Sequence, residues 1–177
     1  DGKYIADTGT QTNTVHVWDV NAKQVVQTLE QNGAVSPHQA LAWSPDGRYL
    51  AGCGKNLRIW DTHSWQLTEE KKYDSQDFKV CGFMAFSSDG RWLALGPYGS
   101  QFNGDICVYS IQDWALKQCT SFHLLPRTEK SYAVFTTPEI IFQPGTDVLA
   151  IAANGYFKTP NQPSVSNRPS EGRVLFW

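Results

Sequence analysis

"LAWSPDGRYLAGCGKNLRIWDTHSW" (Leu41–Trp65) decides how this chain is read. Short apolar runs are cut by Ser44-Pro45-Asp46-Gly47 and again by Asp61-Thr62-His63. Such runs, rich in Val, Ile, Leu and aromatics and bounded by Gly, Pro, Asp and Asn, are strand signals, and no window sustains a helical period. Asp46-Gly47 suits a tight hairpin, because Gly accepts positive φ and Asp bonds its own backbone. The phrase unrolls as strand a ("ALAW"), a turn, strand b ("RYLAGC"), a loop, strand c ("LRIW"), a turn and strand d ("QLTEEKKY"). That is a four-stranded antiparallel meander.

The phrase recurs. "DGKYIA" (Asp1–Ala6), "DGRYLA" (Asp46–Ala51) and "DGRWLA" (Asp89–Ala94) follow one another at offsets of 45 and 43 residues. A degenerate copy, "FQPGTDVLA" (Phe142–Ala150), aligns without gaps on "FSSDGRWLA" (Phe86–Ala94). Each is followed by a second element: "VHVWD" (Val15–Asp19), "LRIWD" (Leu57–Asp61), "ICVYS" (Ile106–Ser110) and "RVLFW" (Arg173–Trp177). A lone meander cannot bury both faces, whereas meanders stacked radially cover one another and leave only short edges. Leu57 and Ile59 are then expected to pack on one neighbouring unit and Trp60 on the other, since strand side chains alternate.

The period, the Ser-Pro-Asp-Gly turn and the dipeptides Trp18-Asp19 and Trp60-Asp61 resemble the WD-repeat β-propellers over essentially the whole chain. The resemblance implies an all-β fold, a partial propeller of about three and a half four-stranded blades. Its repeat positions are Trp18, Asp19, Asp46, Gly47, Trp60, Asp61, Asp89, Gly90, Tyr109 and Trp177. There are departures from the pattern. Gly33-Ala34 stands where family blades often carry Gly-His, Tyr109-Ser110 replaces Trp-Asp, and "GCGKNLRIW" offers no counterpart to the family's Asp between strands b and c. The blades are therefore expected to rely on apolar packing. The expected division is residues 1–30 for part of blade 1, 31–73 for blade 2, 74–124 for blade 3 and 125–177 for part of blade 4. This reads as a piece of a longer propeller, with a closed four-blade ring as the alternative.

Composition sets outer bounds. The 177 residues are 41% apolar, 18% charged and 13% aromatic, with seven Trp, which suits packed β-structure. A formal charge of −2 gives no electrostatic reason to expect nucleic acid or an anionic membrane, and no apolar run approaches the roughly 18 residues of a membrane span. Cys53, Cys81, Cys107 and Cys119 show no CxxC pair or metal-type cluster and are expected as buried apolar thiols on strands. The compartment stays open.

Function is expected where the connections vary. Loops joining a to b and c to d are short and alike, while those joining b to c, and d to the next a, are irregular: "GPYGSQFNG" (Gly96–Gly104), "LLPRTEKS" (Leu124–Ser131) and "NGYFKTPNQPSVSNRPSEG" (Asn154–Gly172). In an up-and-down blade the irregular ones share one side, and variable loops on a rigid scaffold are where binding tends to sit. Tyr98, Phe102, Arg127, Tyr156, Phe157, Lys158 and Arg168 are the expected partner contacts, because Tyr and Arg give large contact areas and directional bonds. The competing reading makes Pro160–Pro169 an excursion with no partner.

No nucleophile elbow, H-E-x-x-H, P-loop or EF-hand loop is present. His16, His38, His63 and His123 are dispersed, and no spacing brings together two of Asp7, Asp61, Asp77 and Glu129. No catalytic residue, cofactor or metal is therefore assigned, and His16 takes the strand-c place that Arg58 holds in the next blade. The leading expectation is a non-catalytic scaffold that binds a protein or peptide, with neither nucleic acid nor a membrane span. One alternative is a propeller serving a larger enzyme, as a serine peptidase's gating domain or a kinase-attached sensor. Another is a propeller holding a small ligand in its central channel.

Overall fold

The Ser-Pro-Asp-Gly turn repeats in three dimensions. The structure is a computed structural model and describes residues 2–8, 13–31, 40–54, 56–72, 81–97, 103–123, 132–146 and 148–158. Gly47 and Gly90 have φ of 73° and 72°, the left-handed region that glycine enters without a Cβ penalty. The Ser44 hydroxyl donates to Asp46 Oδ1 at 2.6 Å, the Arg48 N–H donates to the same oxygen at 3.0 Å, and the Tyr49 N–H donates to Ser44 Oγ at 2.8 Å. Ser87, Asp89, Arg91 and Trp92 repeat the three bonds at 2.6, 3.0 and 2.9 Å. The degenerate copy turns by other means. Thr146 N–H bonds the Gln143 carbonyl at 3.2 Å across Pro144 and Gly145, with Gly145 at φ 74°. Proline then glycine at the central positions is type II turn chemistry.

These turns join thirteen strands among the described residues: β1 (Tyr4–Thr8), β2 (Thr14–Asp19), β3 (Gln24–Glu30), β4 (Ala40–Trp43), β5 (Tyr49–Cys53), β6 (Asn56–Asp61), β7 (Leu67–Lys72), β8 (Cys81–Phe86), β9 (Trp92–Pro97), β10 (Asn103–Ser110), β11 (Leu116–His123), β12 (Tyr132–Phe142) and β13 (Leu149–Lys158). They form four antiparallel sheets in sequence order: β1–β3, β4–β7, β8–β11 and β12–β13. The outer ladders slip register at one recurring place, between Val17 and Trp18, Ile59 and Trp60, and Val108 and Tyr109. A bulge there re-aims the following side chain. Beyond it, Asp19 Oδ1 accepts the N–H groups of Asn21 and Ala22 at 2.9 and 2.8 Å, and Asp61 Oδ1 those of His63 and Ser64, both at 3.0 Å. In this molecule the aspartate of Trp-Asp holds the turn from c to d.

The sheets stack face to face around an axis. β4 lies beside β8, and β8 beside β12, so the first strands of successive sheets line the centre. Three apolar cores fill the gaps between sheets. Val15, Val17 and Leu29 meet Leu50 and Trp60 between the first and second sheets. Ala51, Cys53, Leu57 and Ile59 meet Cys81, Leu93, Leu95, Tyr109 and Trp114 between the second and third. Phe83, Ala94, Ile106 and Val108 meet Ile140, Phe142 and Leu149 between the third and fourth. Leu57 and Ile59 thus face one neighbour and Trp60 the other, as the pleat requires. By the same alternation Trp18 turns away from the second sheet and stands 38% exposed. Burying each large apolar side chain contributes roughly 1.5–3 kcal/mol. One polar tie crosses the first core, where Arg58, itself buried, donates from Nη1 to the Glu30 carbonyl at 2.6 Å and from Nε to Glu70 Oε1 at 3.2 Å.

Two expectations are corrected. The cysteines are not free thiols: Cys53 bridges to Cys81 and Cys107 to Cys119, with Cα separations of 5.6 and 4.1 Å. The first bridge joins adjacent sheets and the second joins residues directly opposite on β10 and β11. Radial stacking creates the first pairing, and local spacing in sequence cannot show it. The stretch expected as a loop from Asn154 opens on a strand. Asn154 to Lys158 belong to β13 and pair with Tyr132 to Thr136, and Gly96, Pro97, Asn103 and Gly104 likewise lie on strands.

Candidate functional site

The two faces of the stack are built differently. On one lie the turns from a to b (44–48, 87–91, 143–146) and from c to d (20–23, 62–66, 111–115); on the other lie the connections from b to c and from d to a. Of the expected partner contacts, Tyr98, Phe102, Arg127 and Arg168 lie outside the described residues. So do Trp177, Gly33-Ala34, His38, Asp77 and Glu129. Tyr156, Phe157 and Lys158 fall on β13, opposite Val134, Ala133 and Tyr132.

Their backbone forms an arm. In the β12–β13 ladder Glu139–Phe142 pair with Leu149–Ala152, a length comparable to β4. The register then shifts at Thr137-Pro138, and five further pairs run from Thr136 and Asn154 to Tyr132 and Lys158. Proline has no N–H to give the ladder and is at home at such a bulge. At about 3.3 Å per residue the extension reaches roughly 15 Å, on the face of the irregular connections.

The opposite face carries a constellation that the sequence reading did not find. Each c-to-d turn ends on a residue with positive φ: Lys23 (53°), Trp65 (57°) and Trp114 (51°). Trp114 of the third sheet meets Tyr49 of the second edge to face, at 5.3 Å and 87°. Trp65 of the second meets Tyr4 of the first at 5.6 Å and 84°. A basic residue covers each second-strand aromatic, with Lys3 4.7 Å from the Tyr4 ring, Arg48 5.0 Å from Tyr49 and Arg91 5.9 Å from Trp92. One clasp therefore recurs around the face, a cation and a neighbour's indole on one aromatic ring. Its signal in the sequence is an aromatic five residues after the Trp of Trp-Asp, or after the Tyr that replaces it, as in "WDTHSW" and "YSIQDW".

Beside the Tyr4–Trp65 clasp, and lined by it, is a cleft of about 900 Å³, whose walls include Gly2, Trp43, Pro45, Gly47 and His63. Trp43 stands edge-on to Trp65 at 6.3 Å. Asp46 on its rim is held below the usual carboxylate range by the Ser44 hydroxyl and the Arg48 N–H. The equivalent Asp89 is lowered to about 2, first by Ser87 and further by Arg91. Elsewhere, His16 Nδ1 lies 3.4 Å from Asp7 Oδ1, and the Trp18 indole donates to the other Asp7 oxygen. Among the described residues no three His, Cys, Asp or Glu side chains are grouped to hold a metal, and no helix is long and apolar enough to cross a membrane.

Residues 23–61 match the family model described as WD domain, G-beta repeat. This span carries one WD repeat. The matched span runs from the left-handed Lys23 to the turn-holding Asp61. The chain is similar in structure to dihydro-heme d1 dehydrogenase NirN in complex with DHE, at TM-score 0.62 and 15% identity over 99% of this chain and 35% of that one. It is similar to U3-55K and to the WD40 repeats of RRP9, each at TM-score 0.64 and 14% identity over 93% of this chain and 47% of theirs. At such identities the likeness speaks for the fold, a partial β-propeller. The chain spans about a third to a half of the length of these structures.

Proposed function

We propose that the WD-repeat chain is a non-catalytic interaction scaffold that holds a protein or peptide partner on the face of the irregular connections. The observation that carries this reading is the β12–β13 arm, which extends five residue pairs past the Thr137-Pro138 bulge and bears Tyr156, Phe157 and Lys158. Aromatic and basic residues on a paired ladder offer contact area and directional bonds, which is what an interface anchor needs. The core between the third and fourth sheets, through Ile140, Phe142 and Leu149, packs the arm's base. Tyr98, Phe102, Arg127 and Arg168 are proposed to complete the surface.

The test uses a partner captured by the intact chain, identified and then purified. Replacing Tyr156, Phe157 and Arg168 together with Ala should weaken its affinity at least a hundredfold, since two or three anchors at about 1–2 kcal/mol each suffice. Unchanged affinity with an intact fold would remove this face from the account.

A further inference from the structure

The two disulfides are not equally open to chemistry. Cys53 and Cys81 are both fully buried in the core between the second and third sheets. Cys107 belongs to the same core and is 8% exposed, but its partner Cys119 stands exposed on β11, the outermost strand of the third sheet. Thiol–disulfide exchange requires a thiolate to reach one sulfur, so access decides which bridge reacts and which of its sulfurs is struck. All four cysteines are paired, so the attacking thiol must come from another molecule.

The exposed bridge also stands at a junction in the ladder. β10 pairs with β9 only from Cys107 to Ser110, with Cys107 opposite Leu95 as the last pair. β9 continues through Gly96 and Pro97 beside β8, and Pro97 has no N–H to give a ladder. From Ile106 back to Asn103, β11 is the one strand partner of β10 among the described residues. Asn103 pairs there with His123, Gly104 with Phe122, Asp105 with Ser121 and Ile106 with Thr120. These four pairs form a two-stranded ribbon on the side of the irregular connections, and two strands alone are marginally stable in water. The next pair is Cys107–Cys119, so a covalent bond closes the base of the ribbon. The β12–β13 arm, which contains no cysteine, has no such tie.

We infer that Cys107–Cys119 is a thiol–disulfide exchange site, opened by a dithiol reductant that attacks Cys119, and that its reduction loosens the ribbon it closes. One thiolate of the reductant forms a bond to Cys119 Sγ as the bond between the two cysteines breaks. Cys107 departs as a thiolate and takes up a proton. The second thiol of the reductant then displaces Cys119 from the mixed disulfide. Two electrons and two protons pass to the bridge, leaving two cysteine thiols, and the reductant becomes a disulfide. Cys53–Cys81, in the core with Leu57, Ile59, Leu93 and Leu95, stays oxidised while the fold is intact. The site is a property of the chain by itself and does not depend on the proposed partner.

The test starts from the oxidised full chain, incubated with dithiothreitol under native conditions, quenched at intervals with N-ethylmaleimide and mapped by peptide mass spectrometry. Cys107 and Cys119 should be labelled together, roughly tenfold or more faster than Cys53 and Cys81. A thioredoxin-type protein whose resolving cysteine is replaced by serine should be trapped on Cys119. In the selectively reduced chain the amides of residues 103–106 and 120–123 should exchange with solvent roughly tenfold or more faster, and those of β5 and β6 should not change. Reoxidation should restore slow exchange, and the double variant Cys107→Ser, Cys119→Ser should show fast exchange without any reductant. Equal labelling of the two bridges in a folded chain, trapping on Cys107, or ribbon amides indifferent to reduction would each overturn the inference.

Discussion

Trp114 on Tyr49 and Trp65 on Tyr4 are one contact made twice, with nearly the same ring separation and angle. Their surroundings differ. Trp114 is 8% exposed and belongs to the core between the second and third sheets, while Trp65 is half-buried at the rim of a cleft. The repeat therefore fixes the geometry of the clasp, and the neighbouring sheet fixes what the clasp is worth. Trp114→Ala should cost about 3–5 kcal/mol in urea unfolding, the range for removing a large buried aromatic, and Trp65→Ala about half as much. Equal costs would break the distinction.

The two disulfides extend the same contrast. Cys53–Cys81 spans 28 residues and ties one sheet to the next, whereas Cys107–Cys119 spans 12 and ties adjacent strands that already pair. Replacing Cys53 and Cys81 with Ala should cost about 3–4 kcal/mol and replacing Cys107 and Cys119 about 2–3, following the loop-length dependence of cross-linking. The reverse order in denaturant titrations would mean that the sheets are held together otherwise.

In the second repeat the sequence carried all four strands to within a residue. "ALAW" and "LRIW" are β4 and the middle of β6, because turn chemistry and alternation are local properties. The alternation also placed Leu57 and Ile59 on one neighbour and Trp60 on the other; what escaped were the specific pairings between repeats. Trp65 reads as a turn residue until the first sheet brings Tyr4 to it, and Cys53 meets Cys81 only because sheets stack. Asn154-Gly155 reads as a loop signal, yet its strand partner, Thr136 and Phe135, lies across a bulge that local rules do not foresee.

The left-handed positions offer a test of sign. Lys23 and Trp114 occupy equivalent places at φ 53° and 51°, but Lys23 is exposed and clasps no ring among the described residues. Lys23→Gly should stabilise by up to about 1 kcal/mol by relieving the Cβ penalty. At Trp114 the same substitution should destabilise by about 3 kcal/mol, because lost burial outweighs the relief. Thermal unfolding with the same sign at both positions would show that the clasp contributes nothing.

The smallest effect concerns the paired turns. Asp46 and Asp89 both have lowered pKa values, and Asp89 lies at about 2. A depressed carboxylate stabilises the fold above its unfolded pKa, and that contribution is lost as protons bind in the native state. Stability should hold above pH of about 4 and decline toward about 2. Ser87→Ala should raise the Asp89 pKa more than Arg91→Ala does, read by NMR titration, because the hydroxyl is the larger cause. An unmoved Asp89 in the Ser87 variant would remove the turn from the acid response.

Everything rests on sheets stacked so that the second and third each present a turn tryptophan to the sheet before it. A double-mutant cycle on Tyr49 and Trp114, 65 positions apart in sequence, reads that stacking directly. The expected coupling is about 0.5–1.5 kcal/mol, as for an edge-to-face aromatic pair, with additivity for the control pair Tyr4 and Trp114. Additive costs for Tyr49 and Trp114 in a folded chain would contradict the radial arrangement.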